Sequence, residues 1–473
     1  MMRTMERNRL VYFAMAAAIG AGFWFVMNLE PVWWLAWLLP GLLYALVLRT
    51  EGWTSRGIVA IAALIGAASN LGYFRTVMPL PPAVLVVVLQ TLMWVLIYGA
   101  SRRIVKRYDA GWTIVALPVL AVAVDTLLAN FTPDGNFGSL AYTQADALPV
   151  AQVASLFGMG GILFLVMLGN SAVGFALSDA RKLRGAGVAF GVTLVVIAAS
   201  VGFGAWRLGQ GVGGQPVSFG IASVDDFIKG ASARSDEVWA RYSAQVAELA
   251  HGGANMVLLP EKIDVLPSAE AEARKLALAA LAREHGVWLV AGLGVDTGTQ
   301  RRNEAWWFAP DGQLTTNYLK HFMAPPEREF VAGNEFPVND IGGVRYGVAI
   351  CKDMHFASLG REFGRRQARV MLVPAWDFDA DAWMAASMTR LRGVESGFAV
   401  VRSSRDGLLS VSDPYGRVLA VERSTALPGK TLLAKAPVGA PVSTLYTRIG
   451  DLLGWLCVAA ATVLLVLSRF RSA

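Results

Sequence analysis

The sequence predicts an α-helical membrane domain with eight transmembrane helices, seven before and one after an extracytoplasmic α/β domain. The 473 residues are 55% hydrophobic and only 16% charged, which is too apolar for a purely soluble protein. Long uncharged runs fill roughly the first two hundred residues and about the last twenty, whereas the middle has an ordinary globular mixture. We therefore expect a seven-helix membrane domain at 1–207, an α/β domain at 215–440 and a closing transmembrane helix at 450–473.

The apolar runs have the length of membrane spans. A helix that crosses the hydrocarbon core needs about 20 mostly apolar residues. Basic residues precede the first run, as in a signal peptide, but no small-residue cleavage site follows it, so we interpret it as a retained helix. The predicted spans are 10–28, 32–48, 57–73, 82–100, 112–129, 151–178, 187–206 and 452–468.

Basic residues lie at alternate ends of these spans, and this predicts their orientation. Cytoplasmic loops carry an excess of Lys and Arg, and here the alternate short loops contain only Arg75. Both termini are therefore expected in the cytoplasm and the α/β domain on the opposite face. The clusters also explain the net charge of +7 without a basic stripe for nucleic acid, so no nucleic-acid partner is expected. They are Arg3, Arg7 and Arg9; Arg49 and Arg56; Arg102, Arg103, Lys106 and Arg107; Arg181, Lys182 and Arg184; and Arg469 and Arg471.

Short β-rich runs alternate with helical patterns in the middle of the chain, as in an α/β domain. A glycine-rich stretch at 209–214 is expected to be the linker before it. Helices are predicted at 235–250, 268–285 and 381–394. The predicted strands are Val217–Val224, Met256–Pro260, Val287–Val295, Ala305–Phe308, Val344–Cys351, Val370–Pro374 and Phe398–Ser403.

Cys351 is the candidate nucleophile. It ends the run Val344–Cys351 and opens into the polar pair Lys352-Asp353, and a strand end can expose a thiol while holding it rigidly. The only other cysteine, Cys457, lies within the last apolar run, so no disulfide framework is expected. The alternative is that Cys351 is a small buried hydrophobe, as most free cysteines are.

Two charged residues stand where they can activate such a thiol. Glu261 follows the run Met256–Pro260, and a carboxylate at a strand end can exchange a proton with a thiol. Lys320 follows a Pro310-Asp-Gly turn, and an ammonium beside a cysteine can stabilise the thiolate and the oxyanion of a tetrahedral intermediate. The alternatives are an ordinary solvated glutamate and a surface lysine. The four histidines have no ligand-pair spacing, so neither a metal nor another cofactor is expected.

The order of these three residues resembles the nitrilase, or carbon–nitrogen hydrolase, superfamily. The resemblance covers about residues 217–420 and includes the stretches Arg302-Asn-Glu-Ala and Val370-Met-Leu-Val-Pro-Ala-Trp. It implies that the α/β domain is an αββα sandwich. It also implies that Glu261 is the general base, Lys320 the oxyanion-stabilising cation and Cys351 the acylated nucleophile.

The membrane part resembles one branch of that superfamily, the apolipoprotein N-acyltransferases. These combine seven membrane spans, an extracytoplasmic hydrolase domain and one closing helix. The local match comprises Leu140-Ala-Tyr-Thr-Gln144, Gln152–Gly158 and Gly161–Phe164. A generic small-residue membrane helix would explain the glycines but not the Tyr-x-Gln spacing. The resemblance implies a multi-pass protein of the bacterial inner membrane with its catalytic domain on the periplasmic face.

The resemblance also implies supporting residues around the three. The family has a further glutamate after the catalytic lysine, for which Glu327 is expected here and Glu329 is the alternative. Asp353 stands where the family usually has Glu, and Lys352 replaces a usual aromatic residue. Trp376 follows a strand end and is expected to shape an acyl or acceptor site, or to cover the core.

The implied reaction is a two-step acyl transfer. Cys351 takes an acyl chain from a phospholipid as a thioester, and the amine of a diacylglyceryl-cysteine apolipoprotein then receives it. Three alternatives stay open: a membrane-tethered amidase in which water replaces the amine, an acyltransferase for a different amine, and a scaffold with an inactive hydrolase domain. The stretch Lys320-His-Phe-Met-Ala-Pro-Pro-Glu departs from the family pattern, which leaves the acceptor more open than the reaction type.

Overall fold

The structure is a computed structural model that describes residues 2–228 and 232–470, with side chains described for 9–228 and 232–468. Arg471 and the side chains of Arg3, Arg7 and Arg469, used above to predict orientation, lie outside the described residues. The chain forms two compact units. One combines the residues up to Leu208 with those from Ile449 onward, and the other is Gly209–Arg448.

The first unit is helical, because a helix satisfies the backbone polar groups of its long apolar runs within each run. Its helices before the second unit are α1 (Met2–Met27), α2 (Leu39–Arg49), α3 (Gly52–Ala68), α4 (Leu71–Val77), α5 (Leu80–Tyr108), α6 (Ala116–Phe131), α7 (Leu148–Ala151), α8 (Ala154–Ala176) and α9 (Ala186–Leu208). Short 3₁₀ turns at Trp33–Trp37 and Gly111–Val115 lead into α2 and α6.

Several of these helices are long and apolar enough to cross a membrane, which confirms a helical region with membrane character. Five helices in the described part of the chain pass this test, and the pair α3 and α4, bent by 53°, makes a sixth. The predicted spans at 32–48 and 452–468 correspond to shorter apolar helices, Trp33–Arg49 and Leu452–Ser468. A helix occupies each predicted segment, but the count of eight membrane spans stays a prediction.

Close helix packing in the first unit depends on small residues. A Cβ on Gly41 of α2 would lie 2.8 Å from the carbonyl oxygen of Asn170 in α8. Hydrogen bonds also join Asn170 to α2 and to the turn before it. The Gly41 N–H donates to Asn170 Oδ1 at 2.7 Å, and Asn170 Nδ2 donates to the carbonyl of Ala36 in the turn Trp33–Trp37 at 2.7 Å. Satisfying a buried amide in this way removes the cost of placing it in an apolar interior.

The segment that carries the Tyr-x-Gln spacing forms a buried 3₁₀ turn, Leu140–Gln144. The Gln144 side chain accepts a hydrogen bond from Trp37 Nε1 at 2.8 Å and donates to the Trp33 carbonyl at 3.0 Å. It thereby ties this turn to the one before α2. The following helix α8 is kinked at Gly158, whose φ of +65° is a conformation that glycine adopts without strain.

The second unit alternates strands and helices, as predicted for an α/β domain. In chain order its elements are β1 (Gln215–Ser223), α10 (Ala233–His251), β2 (Met256–Leu258), β3 (Asp264–Pro267), α11 (Ser268–His285), β4 (Trp288–Asp296), β5 (Arg301–Phe308), β6 (Leu314–Leu319), β7 (Val338–Ile341), β8 (Val344–Val348), α12 (Ala357–Arg365), β9 (Val370–Trp376), α13 (Ala382–Ser396), β10 (Ala399–Arg405), β11 (Leu408–Ser412), β12 (Val418–Arg423), β13 (Lys430–Val438) and α14 (Leu445–Ile449). The last helix of the chain, α15, is Leu452–Phe470.

The strands form two mixed sheets. The first has the order β13-β1-β2-β4-β5-β6, with β3 paired to β4, and the second has the order β12-β11-β10-β9-β8-β7. Parallel pairs lie at the centre of each sheet, β1 with β2 and β2 with β4 in the first, and β8 with β9 and β9 with β10 in the second. Such centres require cover on both faces.

Three apolar clusters provide that cover and define the layers. One lies between the sheets and joins side chains of β1 and β4 to those of β8, β9 and β10. A second packs α10 and α11 on the outer face of the first sheet. The third packs Leu359 and Phe363 of α12 on the outer face of the second sheet. The resulting order is helices, sheet, sheet, helices.

Candidate active site

Cys351 lies just beyond β8, at the first position of a 3₁₀ turn, Cys351–His355. Its φ is +45°, in the left-handed region that non-glycine residues rarely occupy. The side chain is half-buried, and its Sγ lies 3.5 Å from the carbonyl oxygen of Trp376 at the end of β9. The strand thus ends in a sharp turn at Cys351, whose side chain packs at the margin of the apolar core of this unit without being fully buried.

Asp353 holds this turn. Its buried carboxylate accepts four hydrogen bonds, two of them from the segment after Lys320, so it fixes Cys351 relative to that segment. Burial raises the pKa of Asp353 above its ordinary value. The donors are Ile350 N at 2.9 Å and Tyr318 Oη at 2.7 Å to Oδ2, and His321 N at 3.0 Å and Phe322 N at 2.8 Å to Oδ1.

Glu261 and Lys320 are in direct contact. Glu261 stands in the turn after β2, and its backbone N–H donates to the Ala375 carbonyl of the other sheet at 3.2 Å. Lys320 directly follows β6, and its Nζ donates to Glu261 Oε1 at 2.8 Å. The two residues are only 2% and 1% exposed, so water does not screen the pair. Glu261 is therefore not an ordinary solvated glutamate, and Lys320 is not a surface lysine.

Glu327 is the second carboxylate that contacts Lys320. It lies in a short 3₁₀ turn, Pro325–Glu327, where its Oε2 accepts from Lys320 Nζ at 2.7 Å and from Ala324 N at 3.1 Å. Glu329, the alternative, is exposed and contacts Arg301 at 3.3 Å. The geometry therefore places Glu327, and not Glu329, beside Lys320.

Asn303 and Lys262 complete the cluster, and the sequence did not single out either one. Asn303 Nδ2 donates to Glu261 Oε1 at 2.5 Å and to Glu327 Oε1 at 2.7 Å. Lys262 Nζ donates to Glu327 Oε1. Asn303 belongs to the stretch Arg302-Asn-Glu-Ala, which is part of the superfamily resemblance, so the resemblance could have indicated it. Lys262 is adjacent to Glu261 and had no distinguishing signal of its own.

The electrostatics of the site keep Lys320 and Glu327 charged and the Cys351 thiol neutral at rest. Burial opposes the charge on Lys320, but Glu261, Glu327 and Cys351 raise its pKa well above the ordinary value. Burial likewise opposes the charge on Glu327, and Lys320 and Lys262 lower the pKa of that carboxyl below its usual range. Burial and Glu261 raise the pKa of Cys351, against the opposing effect of Lys320. The thiol must therefore lose its proton to a base as it reacts.

Lys352 and Trp376 occupy supporting positions. Lys352 is buried, and its Nζ donates to the Met323 carbonyl at 3.1 Å, which anchors the loop after Lys320. The Trp376 ring lies under the guanidinium of Arg405 at 3.7 Å, and its Nε1 donates to Asp406 Oδ2 at 2.8 Å. Trp376 is thus held rigidly beside Cys351.

Aromatic side chains line the segments that flank the thiol. Phe322, on the loop after Lys320, stacks on Phe356 with ring centroids 3.7 Å apart. Phe330 lies farther along the same loop, 5.5 Å from Lys262 Nζ. Among the described residues, no three His, Cys, Asp or Glu side chains are placed to hold a metal ion.

Two family models match the chain. The model described as carbon-nitrogen hydrolase matches residues 228–426, and that of the apolipoprotein N-acyltransferase N-terminal domain matches residues 19–172. The apolipoprotein N-acyltransferase of Geobacter metallireducens is 24% identical over 400 residues, which cover 76% of this chain and 74% of that protein. The enzyme of the same name from Bradyrhizobium diazoefficiens is 26% identical over 424 residues, covering 76% and 75%.

The chain also has similar solved structures. An amidase from Nesterenkonia sp. AN1, in a mutant with an acetamide moiety on its active-site cysteine, is 19% identical with a TM-score of 0.40. The match covers 47% of this chain and 90% of that one.

Proposed function

The chain belongs to the apolipoprotein N-acyltransferase family of the carbon–nitrogen hydrolase superfamily, and from this we propose that it N-acylates lipoproteins with Glu261, Lys320 and Cys351 as its catalytic residues. The observation that carries the assignment is the buried contact of 2.8 Å between Lys320 and Glu261, both of which act electrostatically on Cys351. The substrates are a phospholipid acyl donor and a lipid-modified apolipoprotein.

In the first step Cys351 Sγ attacks the ester carbonyl carbon of the phospholipid. Glu261 takes the thiol proton, because the thiol is neutral at rest. The carbonyl oxygen becomes an oxyanion that Lys320 stabilises. Collapse of the tetrahedral intermediate breaks the ester bond, Glu261 returns the proton to the leaving alkoxide, and a lysophospholipid departs from the acylated Cys351.

In the second step the free α-amine of the diacylglyceryl-cysteine attacks the thioester carbonyl. Glu261 accepts a proton from the amine, and Lys320 again stabilises the oxyanion. Cleavage of the carbon–sulfur bond releases the amide and gives the proton back to the Cys351 thiolate. The hydrogen bonds of Lys320 to Glu261 and Glu327 hold its ammonium in one position through both steps.

Both substrates are lipid-anchored, so a membrane location follows from the reaction. The apolar helices and the family support a location in the bacterial inner membrane. We extend this to eight spans with both termini in the cytoplasm and the unit Gly209–Arg448 in the periplasm. Reporter fusions at the predicted loops test the topology, and a periplasmic reporter active at 102–107 would contradict it.

An acyl-transfer assay tests the function directly. Purified full-length protein is incubated with phosphatidylethanolamine labelled in its acyl chains and a diacylated lipopeptide with a free N-terminal amine. The expected product is the N-acylated lipopeptide, formed by wild type and by the control Cys457→Ala but not by Cys351→Ala. Release of free fatty acid without acylated peptide would favour the amidase-type hydrolase, and equal product with Cys351→Ala would rule out the proposed nucleophile.

A further inference from the structure

We propose that Lys262 is a positioning residue of this active site, one that offsets the charge of Glu327 so that the charge of Lys320 acts on Cys351 and on the developing oxyanion. The inference rests on the proposed function only in taking Cys351 as the nucleophile. Lys262 is not one of the three catalytic residues proposed above.

Lys262 is built into the cluster. Its side chain is 11% exposed, its Nζ donates to Glu327 Oε1, and that Nζ lies 4.0 Å from Glu261 Oε1. An ammonium removed from water in this way is costly unless it is paired. The two carboxylates supply that pairing, so the position of Lys262 differs from that of a solvated surface lysine.

The surrounding residues fix this geometry. The backbone of Lys262 has a φ of +48°, a strained conformation for a non-glycine residue. Arg405 Nη1 donates to the Lys262 carbonyl at 3.3 Å, and the Lys262 ammonium lies 5.0 Å from the Trp376 ring centroid and 5.5 Å from that of Phe330. Cation–aromatic attraction of this kind adds to the two ion pairs.

The charges of the cluster balance only when Lys262 is counted. Two carboxylates, Glu261 and Glu327, face two ammoniums, Lys320 and Lys262, with Asn303 as a neutral donor. Without Lys262 the net charge would be one unit more negative, which disfavours a thiolate nearby.

Other charged groups face Cys351 and Lys262 from neighbouring elements. Asp377 and Arg402 form a buried ion pair of their own, with Nη1 and Oδ2 2.9 Å apart, and so largely offset one another. The carboxylate of Asp353 accepts four hydrogen bonds of its own and contacts neither Lys262 nor Glu327 among the hydrogen bonds given above. Arg405 is buried beside Lys262 and stacks on Trp376. Lys262 is therefore the cation whose ion pair with Glu327 sets the balance of the Glu261–Lys320 cluster.

The pH dependence of Cys351 alkylation tests this role. Full-length protein in detergent carries Cys457→Ala as the parent background, and iodoacetamide labels the remaining thiol over a range of pH. Lys262→Met is expected to move the alkylation midpoint upward by about one pH unit, so that labelling near pH 7 slows about tenfold. Lys262→Arg, which keeps the charge, is expected to match the parent. A parent-like midpoint in Lys262→Met overturns the proposal.

A second pair of variants tests the proposal if Lys262→Met alone does not fold. Glu327→Gln is expected to lower the midpoint, and Lys262→Met/Glu327→Gln to return it toward the parent, because the double change removes one charge of each sign. Equal midpoints in these two variants also overturn the proposal. Phospholipid is absent from the experiment, so a failure of acyl transfer would remove the proposed function without changing this result.

Discussion

The ammonium of Lys320 lies 2.8 Å from Oε1 of Glu261, although the two residues are 59 positions apart in the chain and belong to different strand ends. The pair is buried, and Glu327 and Asn303 complete its hydrogen bonds. A buried ion pair of this kind is costly to build and costly to break. Both residues act electrostatically on Cys351, which is the basis for proposing them as its proton acceptor and its cation.

Replacement of Glu261 by Gln is expected to remove most of the acyl-transfer activity. The amide cannot take the thiol proton, and loss of a general base lowers the rate by about 10²–10⁴-fold. Labelled lipopeptide formation measures the effect. Glu329→Gln changes an exposed carboxylate on the loop that carries Glu327 and is the control, expected to retain activity. Equal loss in both variants would contradict the assignment of Glu261.

Replacement of Lys320 by Met is expected to destabilise the α/β unit as well as to abolish activity. It leaves Glu261 and Glu327 without this ammonium, and removal of one partner from a buried ion pair costs about 3–5 kcal/mol. The control is Lys275→Met, whose partner Glu272 is exposed to solvent, so that their ion pair contributes roughly 0–1 kcal/mol. Thermal unfolding of the full chain in detergent compares them, and similar melting temperatures would refute the expectation.

Asp353→Asn is expected to slow acylation by loosening the turn of Cys351. An amide has one acceptor oxygen in place of two, so part of the four donated hydrogen bonds is lost, at about 1–3 kcal/mol for each buried donor left unsatisfied. Asp340→Asn, at an exposed carboxylate that accepts one backbone hydrogen bond, is the control. The proposed support by Asp353 fails if both variants acylate at the wild-type rate.

Acid is expected to destabilise the protein in part through Glu327. Its pKa is lower in the folded chain than the ordinary 4.5, because Lys320 and Lys262 outweigh the effect of burial. Its contribution to stability is therefore complete above about pH 4.5 and declines as the pH falls below that value. Glu327→Gln removes this dependence, so its melting temperature is expected to fall less between pH 5 and pH 3 than that of wild type, by roughly the linkage of one carboxyl group. A parallel fall in both would contradict it.

Local sequence patterns predicted the presence of helices and strands better than the residues at which they end. The span expected at 57–73 is broken, because α3 stops at Ala68 and α4 begins at Leu71 at an angle of 53°. The strand expected at Val344–Cys351 stops at Val348, since Cys351 has left the extended conformation at a φ of +45°. Hydropathy and β-propensity do not encode such changes of direction.

The sequence could predict only those residues of the candidate site whose type and position along the chain indicate a role. Cys351 is one of two cysteines, and Glu261 and Lys320 follow apolar runs and a turn, so each could be proposed before its partners were known. Lys262 and Asn303 could not, because their roles arise from contacts with Glu327, which is 65 and 24 residues away. Long-range contacts of this kind depend on how the two sheets bring their loops together.

The most direct measurement is a single-turnover mass analysis of Cys351. Full-length protein is mixed with phosphatidylethanolamine of defined acyl chain, quenched in acid, digested and analysed before and after addition of diacylated lipopeptide. The expected result is one acyl group on the Cys351 peptide, labile to hydroxylamine, that disappears as N-acylated lipopeptide forms. N-acylated lipopeptide that forms while Cys351 stays unmodified, or an acyl group on Cys351 that the lipopeptide never removes, would contradict the proposed reaction.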